Sequence, residues 1–165
     1  MAWGFYWCHL RRNKKVKKES IIRITKLLLD FMFFAGILVT VSLPFTILWI
    51  TDLYPDVIRA HYTEYVVIYF ALGLLAIAIL GELRKMFRTV LKGDCFVYDN
   101  VVSLQRMGTY SFMIAAISLV RNLMYLTNAM SVVILVFVVA GLFSKVLAFV
   151  FEDAIRYKEE NDLTI

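Results

Sequence analysis

Long runs without a charged residue constrain this chain more than any other feature of its sequence. Residues 31–51 form an uncharged run of 21, residues 65–81 form one of 17, and within residues 107–144 the only charge is Arg121. A helix rises about 1.5 Å per residue, and the hydrocarbon core of a bilayer is about 30 Å thick. The third run is too long for one crossing, and we expect it to fold back at residues 127–128. The sequence therefore predicts an all-α membrane protein with four transmembrane helices.

The composition favours lipid rather than water around these helices. Hydrophobic residues make up 61% of the 165 residues, charged residues make up 19%, and the mean hydropathy is +0.74. A soluble domain of this size has too small an interior to bury so much apolar surface. The two cysteines lack the spacing of a metal site, and the sequence contains no catalytic motif. We therefore expect no enzymatic activity, no cofactor and no metal.

The distribution of Lys and Arg predicts the orientation, because the cytoplasmic connections of membrane proteins are enriched in both. Eight lie in residues 11–26, five in residues 82–106 and two in residues 152–165, whereas residues 52–64 contain only Arg59. This pattern places both termini and the middle connection in the cytoplasm. The basic residues before the first run suit anionic lipid headgroups of the inner leaflet, and we expect no direct binding of nucleic acid.

The chain is thus predicted to be one transmembrane domain, residues 1–165, with three cytoplasmic segments. They are a basic N-terminal segment (1–26), an elbow (82–106) and an acidic tail (152–165). Within the elbow, Leu83, Met86 and Phe87 lie on one apolar helical face, and basic residues cover the other face. This pattern predicts a cytoplasmic amphipathic helix on the inner leaflet, between the second and third transmembrane helices. We expect Gly93 to end it, Phe96 to anchor the turn, and Asp99 or Asn100 to cap the next helix.

Three charged residues lie within or beside the apolar runs, where charges are costly and often functional. Asp30 has a partner within its own helix in Lys26, four residues earlier. Lys145 is close enough to the inner end of the fourth helix to extend its ammonium to the headgroups. Arg121 reaches the outer headgroups or pairs with an acidic residue of the 52–64 connection, namely Asp52, Asp56 or Glu64. Alternatively, Arg121 forms a small polar site at the outer face with Asn122 and Tyr125.

Small residues predict where the helices touch, because they let helix backbones approach closely in lipid. They occur on the second helix at Ala71, Gly73, Ala76, Ala78 and Gly81. On the third helix they occur at Ser111, Ala115 and Ser118.

Two stretches carry a resemblance to a known family. The elbow "GDCFVYDNVVSLQRMG" and the ending "FEDAIRYKEENDLTI" are similar to the bacterial four-helix membrane proteins grouped as domain of unknown function 2975, the YoaS-like proteins, over most of the chain from helix one to the end. Cys95 stands where the family usually has proline, and the leader "MAWGFYWCHL" lies outside the pattern. The resemblance implies a bacterial cytoplasmic membrane protein whose signature positions are Gly93, Phe96, Asn100, Gly108, Glu160, Asn161, Asp162, Leu163, Thr164 and Ile165.

The resemblance also implies a partner, because genes of this family often lie beside one for a small helix-turn-helix regulator of the Cro/CI type. We therefore expect a non-enzymatic, regulatory membrane protein that partners such a regulator through its cytoplasmic face. Two alternatives remain: an immunity or resistance protein against membrane-active peptides, and an accessory subunit of a transport complex. A homo-oligomer or a larger membrane complex is compatible with each of these roles.

Overall fold

The described part of the chain consists of helices and short connections. The computed structural model describes residues 2–53, 62–92, 96–124 and 128–162, and side chains within 22–49, 62–92, 96–124 and 128–161. The helices are α1 (Ala2–Leu53), α2 (Tyr62–Leu91), α3 (Tyr98–Met124) and α4 (Asn128–Asp162). The all-α prediction is confirmed for these residues, which contain no strand.

Helix α1 continues without a break from the basic residues 11–26 into the first apolar run. Pro44 lies inside it, and its ring removes the amide that would donate to the carbonyl of Thr40. The Thr40 hydroxyl donates to the carbonyl of Gly36 at 2.8 Å, one turn before. The hydroxyl of Tyr62, on α2, donates to the carbonyl of Pro44 at 3.3 Å. A contact from the neighbouring helix therefore reaches α1 at the proline.

The predicted amphipathic helix is not a separate element. Residues 82–91 are the last turns of α2, which runs unbroken through Gly81 to Leu91. Met86, on the apolar face of these turns, packs against a core cluster formed by α3 and α4. A helix that packs one face on its neighbours has the same sequence pattern as a helix that lies on a membrane, and this similarity explains the wrong prediction.

Consecutive helices are antiparallel, and each packs mainly against its neighbours along the chain. The start of α1 and the end of α4 therefore lie on the same side as the end of α2 and the start of α3. We call this side of the bundle the terminal end, and the side that carries Tyr65 and Arg121 the far end. The contacts that fix this order are Arg84 with Asp30, Gly73 with Thr40, Ser103 with Glu82, and Lys145 with Thr109.

The distribution of polar and apolar side chains differs from that in a water-soluble protein. Among the described residues, seven buried side chains are hydrophobic and seven are polar or charged, including four serines. Large apolar side chains instead cover the outside, where Phe45 is 73% exposed and Leu123 is 74% exposed. Exposed apolar patches of this extent indicate a surface that contacts something other than water.

Three helical segments in the described part of the chain are long and apolar enough to cross a membrane. They are Ile22–Trp49, Tyr62–Leu91 and Asn128–Asn161. Helix α3 is not one of these three segments. It is the most buried of the four helices, with nine buried residues that include Asn100, Ser103, Ser111 and Ser118. These four polar residues are buried against its neighbours, so they lower its mean hydropathy without being exposed on the outside.

Glycines bring the helix backbones together, as the small residues predicted. A Cβ atom on Gly73 would lie 2.7 Å from Oγ1 of Thr40, so α1 and α2 meet there. A Cβ atom on Gly108 would lie 3.1 Å from the carbonyl oxygen of Gly141, so α3 and α4 meet there. The small-residue prediction is also confirmed on α3, where the members of the set are buried: Ser111, Ala115 and Ser118.

Not every member of the predicted set lies at a contact. Ala76 is exposed on the outside of α2. A small residue on its own therefore does not mark an interface, and the close approach at Gly73 depends on its position opposite Thr40.

Replacing Gly73 tests the contact between α1 and α2. We expect Gly73→Ala to lower the free energy of unfolding in detergent by about 1–3 kcal/mol, because the stiff, buried Thr40 side chain has little room to move away. Adding Thr40→Ala should restore most of the loss. The matched control is Gly81→Ala, whose Cβ would make an ordinary contact of 3.7 Å with Phe33. Equal effects of the two glycine substitutions on the unfolding temperature would contradict the close approach.

Candidate functional site

A layer of charged and polar side chains crosses the bundle near its terminal end. The uncharged runs of α1 and α2 stop beside Asp30 and Glu82, and those of α3 and α4 stop beside Arg106 and Lys145. The antiparallel packing brings these four positions to similar heights. Each helix therefore contributes one charge at the boundary of its apolar segment, and we call this arrangement the polar layer.

Glu82 is the centre of the polar layer. Its side chain is 8% exposed, and its carboxylate accepts a hydrogen bond from the Ser103 hydroxyl at 2.8 Å. Lys85, one turn later on α2, donates to the same carboxylate at 2.9 Å, and Arg106 of α3 donates at 3.4 Å. A buried carboxylate requires this many donors to offset the loss of its hydration. Glu82 thereby links α2 to α3.

Asp30 extends the layer to α1, but not with the predicted partner. Its carboxylate pairs with Arg84 of α2 at 2.5 Å rather than with Lys26. The guanidinium of Arg84 also lies over the ring of Phe33, with 4.5 Å between its central carbon and the ring centroid. An ion pair between helices holds the helices together, whereas a pair four residues apart would stabilise α1 alone.

Lys145 extends the layer to α4. Its ammonium donates to the hydroxyl of Thr109 on α3 at 3.1 Å, and that hydroxyl donates to the carbonyl of Gln105 at 3.0 Å. Glycine at position 108 leaves room for the Lys145 side chain, because a Cβ atom there would lie 3.0 Å from Cγ of Lys145. The signature position Gly108 is thus the place where the Lys145 side chain crosses α3.

Two further signature positions lie at the start of α3. Asn100 is 2% exposed, and its Oδ1 lies 2.8 Å from the hydroxyl of Thr89 on α2. It belongs to the first turn of the helix, which begins at Tyr98, so it joins two helices rather than capping one. The ring of Phe96 lies 5.5 Å from that of Phe151, and this contact ties the turn to α4 as predicted.

The remaining signature positions lie at the end of α4 or outside the described residues. Glu160 and Asn161 are exposed in the last turns of α4, where the Asn161 amide donates to the carbonyl of Tyr157 at 3.0 Å. Helix α4 ends at Asp162. Positions outside the described residues are Gly93, Leu163, Thr164 and Ile165.

Arg121 forms a separate cluster at the far end. Its guanidinium carbon lies 4.9 Å from the centroid of the Tyr65 ring and 4.4 Å from that of the Tyr69 ring. Arg121 and Tyr65 line a small hollow, and Glu64 and Met124 line it as well. The Nη1 atom is buried without a hydrogen-bond partner among the described residues. Aromatic faces on α2 thus stabilise the cation by cation–π interaction.

Of the polar partners expected for Arg121, Glu64 lies beside it in this hollow. Asn122 donates to Ser131 of α4 at 3.3 Å and thus connects α3 to α4 instead. Tyr125 and Asp56 lie outside the described residues, as does the side chain of Asp52.

Sequence reasoning missed Glu82, Ser103 and Tyr69 as contributors to these clusters. Glu82 directly follows an uncharged run and lies in the stretch predicted to be a surface helix, so the pattern did not mark it as a buried residue. The available signal was its position at the same boundary as Arg106, on helices predicted to be antiparallel. In the residues that the structure describes, no group of three or more His, Cys, Asp or Glu side chains is arranged to hold a metal ion.

Comparison with known families identifies the chain. Residues 49–165 match the family described as "Protein of unknown function (DUF2975)", and the chain belongs to this family. The match begins near the end of α1, so the resemblance covers less of the first helix than the sequence motifs implied. No curated protein and no solved structure matches the chain.

Removing the buried carboxylate tests the polar layer. We expect Glu82→Ala to lower the free energy of unfolding in detergent by about 1–3 kcal/mol, because the partners of Glu82 lose their acceptor. Glu82→Gln should cost less, since the amide still accepts from Ser103. The control is Asp153→Ala, which removes an exposed ion pair with Arg156 and should cost less than about 0.5 kcal/mol. Equal losses for the two alanine variants would contradict the assigned role.

A double-mutant cycle tests the Arg121 cluster. For Arg121→Met and Tyr69→Leu, we expect a coupling of about 0.5–2 kcal/mol in the free energy of unfolding, since either change alone removes the cation–π contact. The comparison cycle uses Arg156 and Tyr157, whose contact is longer, at 6.0 Å, and exposed. Additive effects at Arg121 and Tyr69 would show that the two side chains do not interact.

Proposed function

We propose that this member of the DUF2975 family is a four-span protein of the bacterial cytoplasmic membrane, with both termini and the connection between α2 and α3 in the cytoplasm. We further propose that it has no enzymatic activity and acts as a membrane-bound docking protein for a small helix-turn-helix transcription regulator. Its acidic cytoplasmic tail is the proposed contact surface.

The packing of α3 supports four spans rather than three. Helix α3 has 27 residues, about 40 Å at 1.5 Å per residue, and it packs along both α2 and α4. Between Tyr110 and Val120 its exposed side chains are apolar, as at Met113 and Val120. A helix held between two membrane helices crosses the membrane with them.

The charges support the proposed orientation. The terminal end carries the segments that contain 15 of the 18 Lys and Arg residues, whereas Arg59 lies in the connection between α1 and α2. Lys and Arg of short loops remain on the cytoplasmic side during insertion.

The exposed end of α4 supports the proposal of a protein partner. Beyond the contact between Phe96 and Phe151, α4 continues for 11 residues to Asp162, about 16 Å. In these last turns every residue from 156 to 161 is exposed. Residues 152–165 contain five acidic and two basic residues. An exposed acidic helix complements the basic surface with which helix-turn-helix proteins bind DNA, so docking there competes with DNA binding.

Cysteine labelling in intact cells tests the orientation. With Cys8 and Cys95 replaced by serine, a membrane-impermeant thiol reagent should label Glu64→Cys from outside, because Glu64 lies in the first turn of α2 at the far end. It should label Lys158→Cys only after the cells are opened. Labelling of Lys158→Cys in intact cells would contradict the orientation.

Site-specific photo-crosslinking tests the partner. A photoreactive amino acid at the exposed position Tyr157 should crosslink to a small helix-turn-helix protein in cells, identified by mass spectrometry. The triple variant Glu159→Gln, Glu160→Gln and Asp162→Asn should lose this product, whereas Lys158→Gln should keep it. Absence of any DNA-binding protein among the products, or an unchanged yield in the triple variant, would refute the docking role.

A further inference from the structure

On the outer surface of the polar layer, three cationic side chains lie near one carboxylate. Lys85 and Arg106 share the single carboxylate of Glu82, and their side chains are 59% and 54% exposed. Lys145 has the neutral hydroxyl of Thr109 as its hydrogen-bond partner. Three cations and one anion leave a net charge of +2 on this surface.

Helix geometry places these cations close to one another. Arg106 and Thr109 are three residues apart on α3, so their Cβ atoms lie about 5–6 Å apart on one face. Both residues are exposed, and the Lys145 ammonium lies 3.1 Å from the Thr109 hydroxyl. Arg106 and Lys145 therefore flank one point on the outer surface of α3, between α2 and α4.

In the proposed bilayer, this point lies at the depth of the lipid headgroups. It coincides with the boundary at which the apolar runs of all four helices end. Along the same face of α3, Met113, Ala116 and Val120 are exposed in the direction of the far end. A lipid whose phosphate lies between Arg106 and Lys145 would place its acyl chains along these three residues.

We propose that Arg106 and Lys145 form a specific binding site for the phosphate of one anionic phospholipid, in the leaflet at the terminal end. Guanidinium groups bind phosphate oxygens through paired hydrogen bonds, and basic pockets between membrane helices on the cytoplasmic side bind anionic headgroups. Glu82 holds Arg106 at 3.4 Å and thereby orients it, while Gly108 lets the Lys145 stem cross α3. The bound lipid bridges α3 and α4 on the outside of the bundle. This inference rests on the proposed insertion into a bilayer and is independent of the proposed protein partner.

Native mass spectrometry of the full-length protein in detergent tests the site. Titration with dioleoyl-phosphatidylglycerol should give one retained lipid at concentrations where dioleoyl-phosphatidylcholine gives none. Arg106→Gln and Lys145→Met should each weaken phosphatidylglycerol binding about fivefold, which is the usual effect of one basic residue near a membrane surface. Methionine keeps the apolar stem that packs on Gly108, and glutamine keeps a donor for Glu82. The control, Lys158→Gln, removes one exposed cation from the tail and should leave the binding unchanged.

Several results would overturn the proposal. They are unchanged phosphatidylglycerol binding in the double variant, an equal loss in Lys158→Gln, and equal binding of phosphatidylcholine. A dimer that disappears with Lys145→Met would show that an acidic group of a second copy occupies the site instead. Displacement of the bound lipid by millimolar inorganic phosphate would show a free-anion site.

A salt titration of the unmodified protein tests the site without relying on the folding of any variant. Raising NaCl from 50 to 500 mM should weaken phosphatidylglycerol binding and leave phosphatidylcholine binding unchanged, because salt screens the charge on this surface. No salt dependence would refute the site. Failure of the proposed function gives different results. A chain that is not a membrane protein would remain soluble without detergent. If only the docking role is wrong, the lipid titrations are unaffected.

Discussion

Apolar side chains gain little from leaving lipid for a protein interior, so helices in a bilayer associate through close backbone contact and polar pairs. This constraint explains the interior of the bundle. Gly73 and Gly108 bring neighbouring backbones together, and serines and charged groups occupy positions that leucine and valine would fill in a soluble protein. The large apolar residues lie outside, where lipid is the solvent. The same reasoning explains why α3, at the centre, is the least apolar of the helices and the most buried.

The two ends of the bundle use this chemistry differently. At the terminal end, carboxylates offset cations between helices, as Glu82 does with Arg106, and one ion pair joins α1 to α2. At the far end, Arg121 is stabilised by tyrosine rings instead of a hydrogen-bonded acceptor at Nη1. Among the described residues the two ends are therefore asymmetric: several charges are linked at the terminal end, whereas at the far end Arg121 contacts aromatic rings and lies beside Glu64. That asymmetry matches the functions proposed for the terminal end, lipid binding in the membrane and protein docking beyond it.

The sequence predicted those properties that one helix determines alone. Uncharged runs predicted helices of membrane-spanning length, and the small residues on α3 predicted its buried face. Predictions failed where the answer depended on a neighbouring helix. Asp30 was assigned Lys26 because that pair is visible within one helix, whereas its partner, Arg84, is 54 residues away. The apolar face around Met86 was assigned to the membrane surface because the pattern is the same for a face that packs on α3 and α4.

These contacts between helices explain some of the signature positions of the family. Asn100 and Gly108 lie on α3 at junctions with α2 and α4, so their residue types are required by packing between helices. Glu160 and Asn161 are exposed in the last turns of α4, beyond the contact between Phe96 and Phe151. The first pair therefore belongs to the fold, and the second pair belongs to the surface proposed to meet a partner.

Electron paramagnetic resonance of a nitroxide on α4, with the protein in lipid vesicles, tests most directly whether lipid surrounds the bundle. The informative position is Val139, which is 57% exposed and lies between the two charged ends, in a chain with Cys8 and Cys95 replaced by serine. The account predicts frequent collisions with oxygen and almost none with a water-soluble nickel chelate, and the reverse at the exposed tail position Tyr157. Equal access of the nickel chelate to both positions would contradict it.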